Sequence, residues 1–190
     1  MKTSRLATAL LLLCSVSAVG QVQTATEKAE PNRIAQASDD GILIGGISGM
    51  MYIRLGMARK LIREKLTDRY ELVSTDNGDT LLVVDKTNPG SKPIGAISFE
   101  DDRVVVVNKF WGSFERSDAA SLATTLYSVL NGLNKEGKTI ARIETKQTVD
   151  PQFTQTETKM IFGSKTVAVI SLKSKLGTDA TNVIEVLRSK

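Results

Sequence analysis

Histidine is absent from this chain, and cysteine occurs once, as Cys14, among its 190 residues. Without histidine, the chain cannot assemble a Ser-His-Asp or Cys-His nucleophile. It also lacks the imidazole ligands, and nearly all the thiolate ligands, that most zinc and transition-metal sites require. The composition therefore excludes the commonest hydrolytic and metal-dependent chemistries, and it favours a protein that is not an enzyme and holds no cofactor.

Carboxylates are the catalytic groups that remain, and they occur in two short clusters. The stretch TDNGDT holds Asp76 and Asp79, but its spacing does not match the ligand pattern of an EF-hand calcium loop. The second cluster is Glu100-Asp101-Asp102. We interpret both clusters as solvated turns between strands. A carboxylate-based hydrolase would need acidic residues that converge from separate strands, and it stays a second alternative function.

The N-terminus has the pattern of a secretory signal peptide over residues 1–20. Lys2 and Arg5 precede a short apolar run, and small residues follow from Ser17 onward. The run is too short to cross a bilayer, which needs about 20 apolar residues. Cys14 follows a leucine, whereas a bacterial lipid-anchor site has a small residue at that position. We predict export to the periplasm or the exterior, with a soluble chain after cleavage and no lipid anchor.

Removal of the signal peptide would leave a mature chain without cysteine. That is typical of a bacterial envelope protein whose stability comes from its core alone. The balance of 25 basic and 21 acidic residues is too even to indicate nucleic-acid binding. Residues 21–40 are polar and lack periodicity, so we predict a flexible tether there.

Glycine is concentrated in the stretch DDGILIGGISGMMYIRLGM, residues 39–57. The regular spacing of Gly41, Gly45 and Gly49 resembles a membrane-helix seam, but the apolar part is shorter than the roughly 20 residues of a span. Neither a Walker lysine nor a G-x-G-x-x-G pattern supports a phosphate loop. We expect two short strands around a glycine bend, after which Gly56 leads into the first helix.

Apolar periodicity divides the rest of the chain into helices and strands. Helices are predicted over residues 57–66 and 117–133, and strands over residues 70–75, 80–84, 94–99, 103–107, 139–149, 154–162, 165–172 and 182–187. The order helix, four strands, helix, four strands predicts an α+β fold with two similar halves, residues 41–116 and 117–190. Each half would pack one helix on an antiparallel sheet of about four strands. The halves could also form one continuous domain.

Aromatic residues are few, and three of them, Phe110, Trp111 and Phe114, lie close together after the run of valines. Exposed tryptophan and phenylalanine concentrate binding energy at protein interfaces, so this group is a candidate partner-binding site. The alternative is that Trp111 anchors the core. Strand alternation would place Phe110 and Trp111 on opposite faces, with one of them exposed or against the second helix.

Basic residues cluster on and around the first predicted helix. Such a helix face could bind anionic lipid headgroups or an acidic partner, or it could be an ordinary solvated surface. The residues concerned are Arg54, Arg59, Lys60, Arg63, Lys65 and Arg69.

Gly56 and Met57 open a helix that leads into strands, and the apolar positions Leu61 and Ile62 follow in the stretch GMARKLI. This segment, with Phe110-Trp111 further on, resembles the small outer-membrane assembly lipoproteins of the SmpA/OmlA type and the related β-lactamase-inhibitor-protein fold. The similarity covers residues 53–111. It implies a module that binds protein partners in the bacterial envelope, and it assigns no catalytic residue.

The function that these observations favour is an exported, non-enzymatic protein-interaction module of the bacterial envelope or exterior. The first alternative is a binder of anionic lipid or cell-wall ligands through the basic helix face. The oligomeric state and the identity of the protein partner do not follow from the sequence.

Overall fold

The described part of the chain forms ten strands and two helices. The computed structural model describes residues 41–45, 51–66, 68–87, 92–115, 117–175, 177 and 179–189. The predicted signal peptide, the tether and the glycines at 46 and 49 lie outside these residues. In chain order the elements are β1 (Gly41–Ile44), β2 (Met51–Arg54), α1 (Arg59–Leu66), β3 (Tyr70–Ser74), β4 (Thr80–Asp85), β5 (Gly95–Glu100), β6 (Arg103–Glu115), α2 (Ala119–Lys135), β7 (Arg142–Val149), β8 (Phe153–Phe162), β9 (Lys165–Ser174) and β10 (Asp179–Arg188).

Eight of the strands form a single antiparallel sheet in the order β3-β4-β5-β6-β10-β9-β8-β7. β3 to β6 and β7 to β10 each run as a meander, and the last strand of each meander pairs with the other, from Ala180 opposite Glu115 to Arg188 opposite Val106. β1 and β2 form a separate two-stranded hairpin.

The prediction of an α+β fold with two helix-on-sheet halves is therefore wrong. The described chain is mostly strand, and one large sheet replaces the two smaller ones. The physical reason lies in β6 and β10, two long strands of 13 and 10 residues. Separate sheets would leave both strands with unpaired backbone groups at an edge, whereas their pairing satisfies those groups in the middle of one sheet.

Both helices and the β1–β2 hairpin contribute to two apolar clusters on one face of the sheet, which we call the covered face. Cross-strand pairs share a face, so the pairs Val107 with Leu187 and Gly112 with Val183 define it. Leu187 belongs to the cluster beneath the hairpin and α1, and Val183 to the cluster beneath α2. Side chains alternate along a strand. Ile184 and its cross-strand partners Phe110 and Ala168 therefore lie on the opposite face, which we call the open face.

The first cluster is formed by the hairpin and α1 over β3 to β6. Ile62 and Leu66, one turn apart on α1, are buried against the sheet. Ile42, Ile44 and Ile53 of the hairpin are at most 1% exposed. This tight burial explains why the short, glycine-flanked strands β1 and β2 hold their positions.

The second cluster is smaller and lies beneath α2. Val129 and Leu133 are the buried residues of this helix, and they lie against Phe114, Phe162 and other residues of the sheet. Most of the remaining α2 surface is exposed, including Tyr127 at 70%. The helix therefore covers the middle of the sheet with one narrow stripe.

A β-bulge in β6 sets the side-chain directions in its second half. Val183 pairs with Gly112 but Ile184 pairs with Phe110, which leaves Trp111 as the extra residue. The bulge shifts the alternation by one residue, so Trp111 and Phe114 both lie on the covered face. The ring of Phe114 lies over Gly112, where an added Cβ would be 2.5 Å from the ring.

Gly95 lets the hairpin approach the sheet closely. A Cβ at this position would lie 2.7 Å from the Asn108 carbonyl oxygen and 3.0 Å from Cδ1 of Ile44. We expect Gly95→Ala to lower the free energy of unfolding by about 1–3 kcal/mol, because the clash is with backbone and cannot relax cheaply. Chemical denaturation measures this change.

The matched control is Gly132→Ala on α2, where an added Cβ meets nothing within 4 Å. This change should raise the free energy of unfolding by about 0.5–1 kcal/mol through helix propensity. Equal effects of the two substitutions would contradict the close approach at Gly95.

Candidate functional site

A network of buried charges lies on the covered face between the two apolar clusters. Lys165 on β9 is 1% exposed and Glu185 on β10 is 6% exposed. The Lys165 Nζ donates to Glu136 Oε2 at 2.6 Å and lies 3.7 Å from Glu185 Oε1. Glu136 directly follows α2, so the lysine ties the end of that helix to the sheet.

Trp111 and Lys109 complete the network. The Trp111 Nε1–H donates to Glu185 Oε2 at 3.1 Å, and the Lys109 ammonium lies 3.9 Å from the centre of the indole ring. Lys109 is the cross-strand partner of Glu185. Alternation along β6 from Val107 and Lys109 places the indole on the same face as these two charges, and the bulge then brings Phe114 to that face as well.

Burial lowers the pKa of Lys109 below its ordinary value of 10.5. The Glu185 carboxylate opposes this shift, and the positive charge of Lys165 adds to it. Burial is the largest of these effects on the Lys109 pKa, because the ammonium loses water contact when it lies over the indole ring.

The network's chemistry is structural. Lys165 and Glu185 are buried and already contact opposite charges, so neither presents a free reactive group. A buried charge is costly unless it is paired and hydrogen-bonded, and here each carboxylate has a donor. The network therefore holds the two clusters in one alignment on the sheet.

Sequence reasoning missed this network. Lys165 begins the largely apolar stretch KTVAVI, and Glu185 lies within the stretch NVIEVL. A charge of each sign within such strands could have indicated a buried pair, because isolated buried charges are rarely tolerated. Their pairing across β9 and β10 could not be read from their positions, which lie 20 residues apart in the numbering.

Arg59 of the basic cluster links two hairpin turns. Its Nη1 donates to the Gly78 carbonyl oxygen at 2.8 Å, and its Nε lies 3.0 Å from Asp102 Oδ1. Its guanidinium lies 4.5 Å from the centre of the Phe99 ring. The side chain is thus engaged within the fold and is 22% exposed.

Arg69 is engaged in a similar way. Its Nη2 lies 3.8 Å from Asp85 Oδ2, and both side chains are less than one-third exposed. Hydrogen bonds from the hydroxyl and backbone N–H of Thr87 hold the pKa of Asp85 below its ordinary value, and Arg69 adds to this effect.

The other four basic residues, Arg54, Lys60, Arg63 and Lys65, are exposed. Acidic residues lie among them, since Lys60 pairs with Glu64 at 3.8 Å. Lys65 also lines a shallow depression together with acidic and apolar residues, namely Met51, Tyr52, Met57, Glu64 and Asp68. The six predicted cations therefore do not form one uninterrupted basic surface.

The three candidate aromatic residues are distributed over both faces. Phe114 is 9% exposed in the second cluster, and Trp111 packs against that cluster. Phe110 pairs with Ile184 on the open face and is half-buried. Only Phe110 of the three is therefore placed to contact a partner on the open face.

The open face carries an apolar strip across β6, β10 and β9. Its members are partly or largely buried by their neighbours within the sheet, and neither described cluster includes them. We define the apolar strip as Val106, Phe110, Ala168, Ile170, Ile184 and Val186; the polar residues Asn108, Thr166 and Asn182 lie among them on the same face.

Charged residues of both signs border this strip. On the open face of β7 and β8 the side chains alternate in sign, and cross-strand pairs set Glu144 opposite Lys159 and Lys146 opposite Glu157. Lys159 and Glu157 also form an ion pair at 3.2 Å. The open face thus has an apolar centre and a charged margin.

The two acidic clusters predicted as turns lie at hairpin ends. Asp101 and Asp102 form the β5–β6 turn with left-handed backbone angles, φ 49° and 58°. The Phe99 N–H donates to the Asp79 carbonyl oxygen at 2.8 Å, which brings the other turn alongside. Within the described residues, no three acidic side chains gather closely enough to hold a metal ion.

Comparison with known proteins gave no match, whether to a protein-family model, a curated protein or a solved structure. In the part of the chain that the structure describes, no helix has both the length and the apolar character needed to cross a membrane.

The buried network generates a stability prediction. Lys165→Met removes the ion-pair partner of the buried Glu185 and leaves Lys109 as the nearby cation, so we expect the free energy of unfolding to fall by about 3 kcal/mol, the lower end for a broken buried pair. The double variant Lys165→Met with Glu185→Gln should lose less, since the neutral amide still accepts from Trp111. Lys60→Met, at an exposed pair, is the control and should change little.

Those losses are measured by denaturant unfolding. If the double variant were at least as destabilised as the single one, the charge of Glu185 would not be the source of the cost.

Lys109 generates a pH prediction. Its pKa is lower in the folded chain than in the unfolded chain, so the unfolded chain binds more protons between the two pKa values. The free energy of unfolding should therefore rise with pH through that interval, up to about 10.5. Lys109→Met removes this contribution. The free energy of unfolding of the variant minus that of the wild type should therefore decrease, toward more negative values, as the pH rises from neutral.

Lys135→Met, at an exposed position of α2, provides the comparison, and its stability difference should stay level over the same range. Unfolding curves recorded at a series of pH values check both expectations. A level difference for Lys109→Met would show that its ammonium is not desolvated.

Proposed function

We propose that this chain is an exported, non-enzymatic protein-interaction module of the bacterial envelope or exterior, which binds a folded protein partner through the open face of its sheet. The observation that carries the proposal is the apolar strip, which has no covering layer among the described helices and strands. Four of its members, Val106, Phe110, Ile170 and Val186, are only partly buried, and apolar surface that remains in contact with water favours association.

The arrangement of the open face supports a protein partner. Protein interfaces combine an apolar centre with a polar, solvent-accessible rim. The apolar strip supplies the centre, and the margin on β7 and β8 supplies a rim in which positive and negative side chains alternate. A folded partner can match both signs with its own charges and gain orientation as well as affinity.

An anionic bilayer is a poorer match to this surface. Membrane surfaces attract uniformly basic segments, whereas the margin of the open face contains Glu144 and Glu157 beside its lysines. On the other side of the molecule, Arg59 and Arg69 of the basic cluster contact acidic or carbonyl groups within the fold.

The remaining parts of the proposal are supported by the sequence. Lys2, Arg5 and the apolar run after them have the pattern of an export signal. The chain has no histidine for acid–base or nucleophilic catalysis. The resemblance of Gly56-Met57 and the following helix to outer-membrane assembly lipoproteins implies protein binding in the same compartment.

A site-specific photo-crosslinker tests the proposal. Placed at Phe110, the probe should capture a defined partner in intact cells of the host, and the same probe at Tyr127 on exposed α2 should not. With the purified partner, Phe110→Ala should weaken binding about 10- to 100-fold, as expected for an aromatic residue at the centre of an interface. Tyr127→Ala should leave the dissociation constant unchanged.

Thermal unfolding of both alanine variants controls for loss of fold. Equal capture from the two probe positions would contradict a site on the open face. So would flotation of the protein with anionic vesicles that is abolished by Lys60→Glu with Arg63→Glu, because that result assigns binding to the basic cluster.

A further inference from the structure

β7 forms one edge of the eight-stranded sheet, and every one of its residues is exposed. The strand is long and pairs with β8 along its whole length, from Arg142 opposite Ile161 to Val149 opposite Thr154. No described strand lies along its outer side. Such an edge displays a row of unpaired backbone donors and acceptors, which is a template for another strand.

The hydrogen bonding identifies which backbone groups are free along this edge. The Asp150 N–H donates to the Phe153 carbonyl oxygen at 2.8 Å. Because hydrogen-bonded and non-hydrogen-bonded pairs alternate in an antiparallel ladder, the even-numbered residues of β7 bond to β8. The backbone groups of Ile143, Thr145 and Gln147 therefore face outward.

The side chains of β7 on the open face alternate in sign, as Arg142, Glu144 and Lys146. Charged side chains and proline on an edge strand commonly discourage its pairing with another strand. Alternating signs instead suit an antiparallel copy of the same strand, because a shift in register can place opposite charges face to face.

The outward groups and the charges together select one register. Centred on Thr145, two copies of β7 place Glu144 opposite Lys146 of the second copy, and symmetry repeats this pair. Both pairs fall at non-hydrogen-bonded positions, where side chains approach most closely. Centring on Lys146 would oppose two lysines, and centring on Glu144 would oppose two glutamates. Centring on Gln147 would oppose Glu144 and Asp150. Centring on Ile143 would oppose Arg142 and Glu144, which already form an ion pair within one strand at 2.8 Å, and it would rely on Ala141, whose N–H donates to Ile161 of β8.

The same register brings exposed aliphatic side chains together. Ile143 is 59% exposed and Val149 is 74% exposed on the covered-face side of β7. With Thr145 on the axis, Ile143 lies opposite Gln147 of the second copy and diagonal to its Val149, which is within reach of a branched side chain. About six backbone hydrogen bonds would form between residues 143 and 147 of the two strands.

We propose that two copies of this chain pair through β7 in antiparallel register about a two-fold axis at Thr145, which joins their sheets into one. The opposite edge, β3, is shorter and carries one charged residue, Glu71. An isologous β7 contact closes on itself as a dimer. The contact is made along the edge of β7 and not at the apolar strip, so the proposal does not rest on the proposed function, although Glu144 and Lys146 also belong to the charged margin of the open face.

The experiment is sedimentation equilibrium of the purified chain over a dilution series, with three substitutions. Thr145→Pro removes the N–H on the axis without affecting the bonds to β8, so dimerisation should be lost. Thr145→Val keeps that N–H but removes the hydroxyl, which lies 3.4 Å from the Thr158 hydroxyl, and should dimerise like wild type. Ser74→Pro is the matched change at an outward-facing position of β3, since Thr75 donates to Thr80, and should also leave the dimer intact.

A charge exchange tests the register. Glu144→Lys places lysines opposite lysines, and Lys146→Glu places glutamates opposite glutamates, so each variant alone should dimerise at least about fivefold more weakly. A mixture of the two should form the heterodimer, in which both pairs again carry opposite charges. Raising the salt concentration should reduce these differences.

A wild-type chain that stays monomeric throughout the dilution series overturns the proposal, as does a dimer that survives Thr145→Pro. A dimer that Ser74→Pro disrupts as strongly places the contact on β3 and overturns it too. If mixing the two charge variants fails to restore association, the Thr145-centred register is wrong.

Discussion

The pairing of β6 with β10 is the constraint on which the rest of the structure depends. It joins two meanders that are far apart in the chain, and its register puts Leu187 under the hairpin and Val183 under α2. Both clusters therefore lie on the same face. The Trp111 indole lies on this face as well and donates to Glu185, and that carboxylate lies beside the buried Lys165. A shift of one residue in this register would move every side chain of β10, including Glu185, to the other face of the sheet.

The described helices and the β1–β2 hairpin pack on one face of the sheet, which affects how the protein can associate with other chains. The sheet has an open face with an apolar centre, and it has two edges, of which β7 is the longer. The apolar strip lies on β6, β10 and β9, whereas the edge is β7, so the two surfaces share only the charged margin. A two-fold axis through β7 stands perpendicular to the sheet, so the open faces of two copies would lie on the same side. A dimer of this kind would present two apolar strips to one partner or to two, and simultaneous contacts would raise the overall affinity without any new contact.

Much of the local structure follows from the sequence, and the physical reasons are local. Ile62 and Leu66 are spaced as the buried residues of a helix should be, and both ends of α1 and α2 lie within two residues of their predicted positions. Asn77-Gly78 marks the β3–β4 turn, in which Gly78 has φ 72°. Glycine between short apolar runs predicted β1 and β2. The candidate site was harder to predict from the sequence. Trp111 and Phe114 share a face only because of the bulge, whereas regular alternation would place them on opposite faces.

The sequence by itself determined the chemistry that this protein lacks, the positions of its helices and most strands, and the pattern of an export signal. These depend on residue type and on spacing within a few residues. Only the tertiary structure decided that the eight strands form one sheet and that Lys165 meets Glu185. It also decided that, among the described helices and strands, none covers the open face or pairs with the outer side of β7. Backbone hydrogen bonding is the same for every residue, so any two strands can pair locally. The choice among pairings is made by side chains distant in sequence, which find their partners only when the whole sheet has formed.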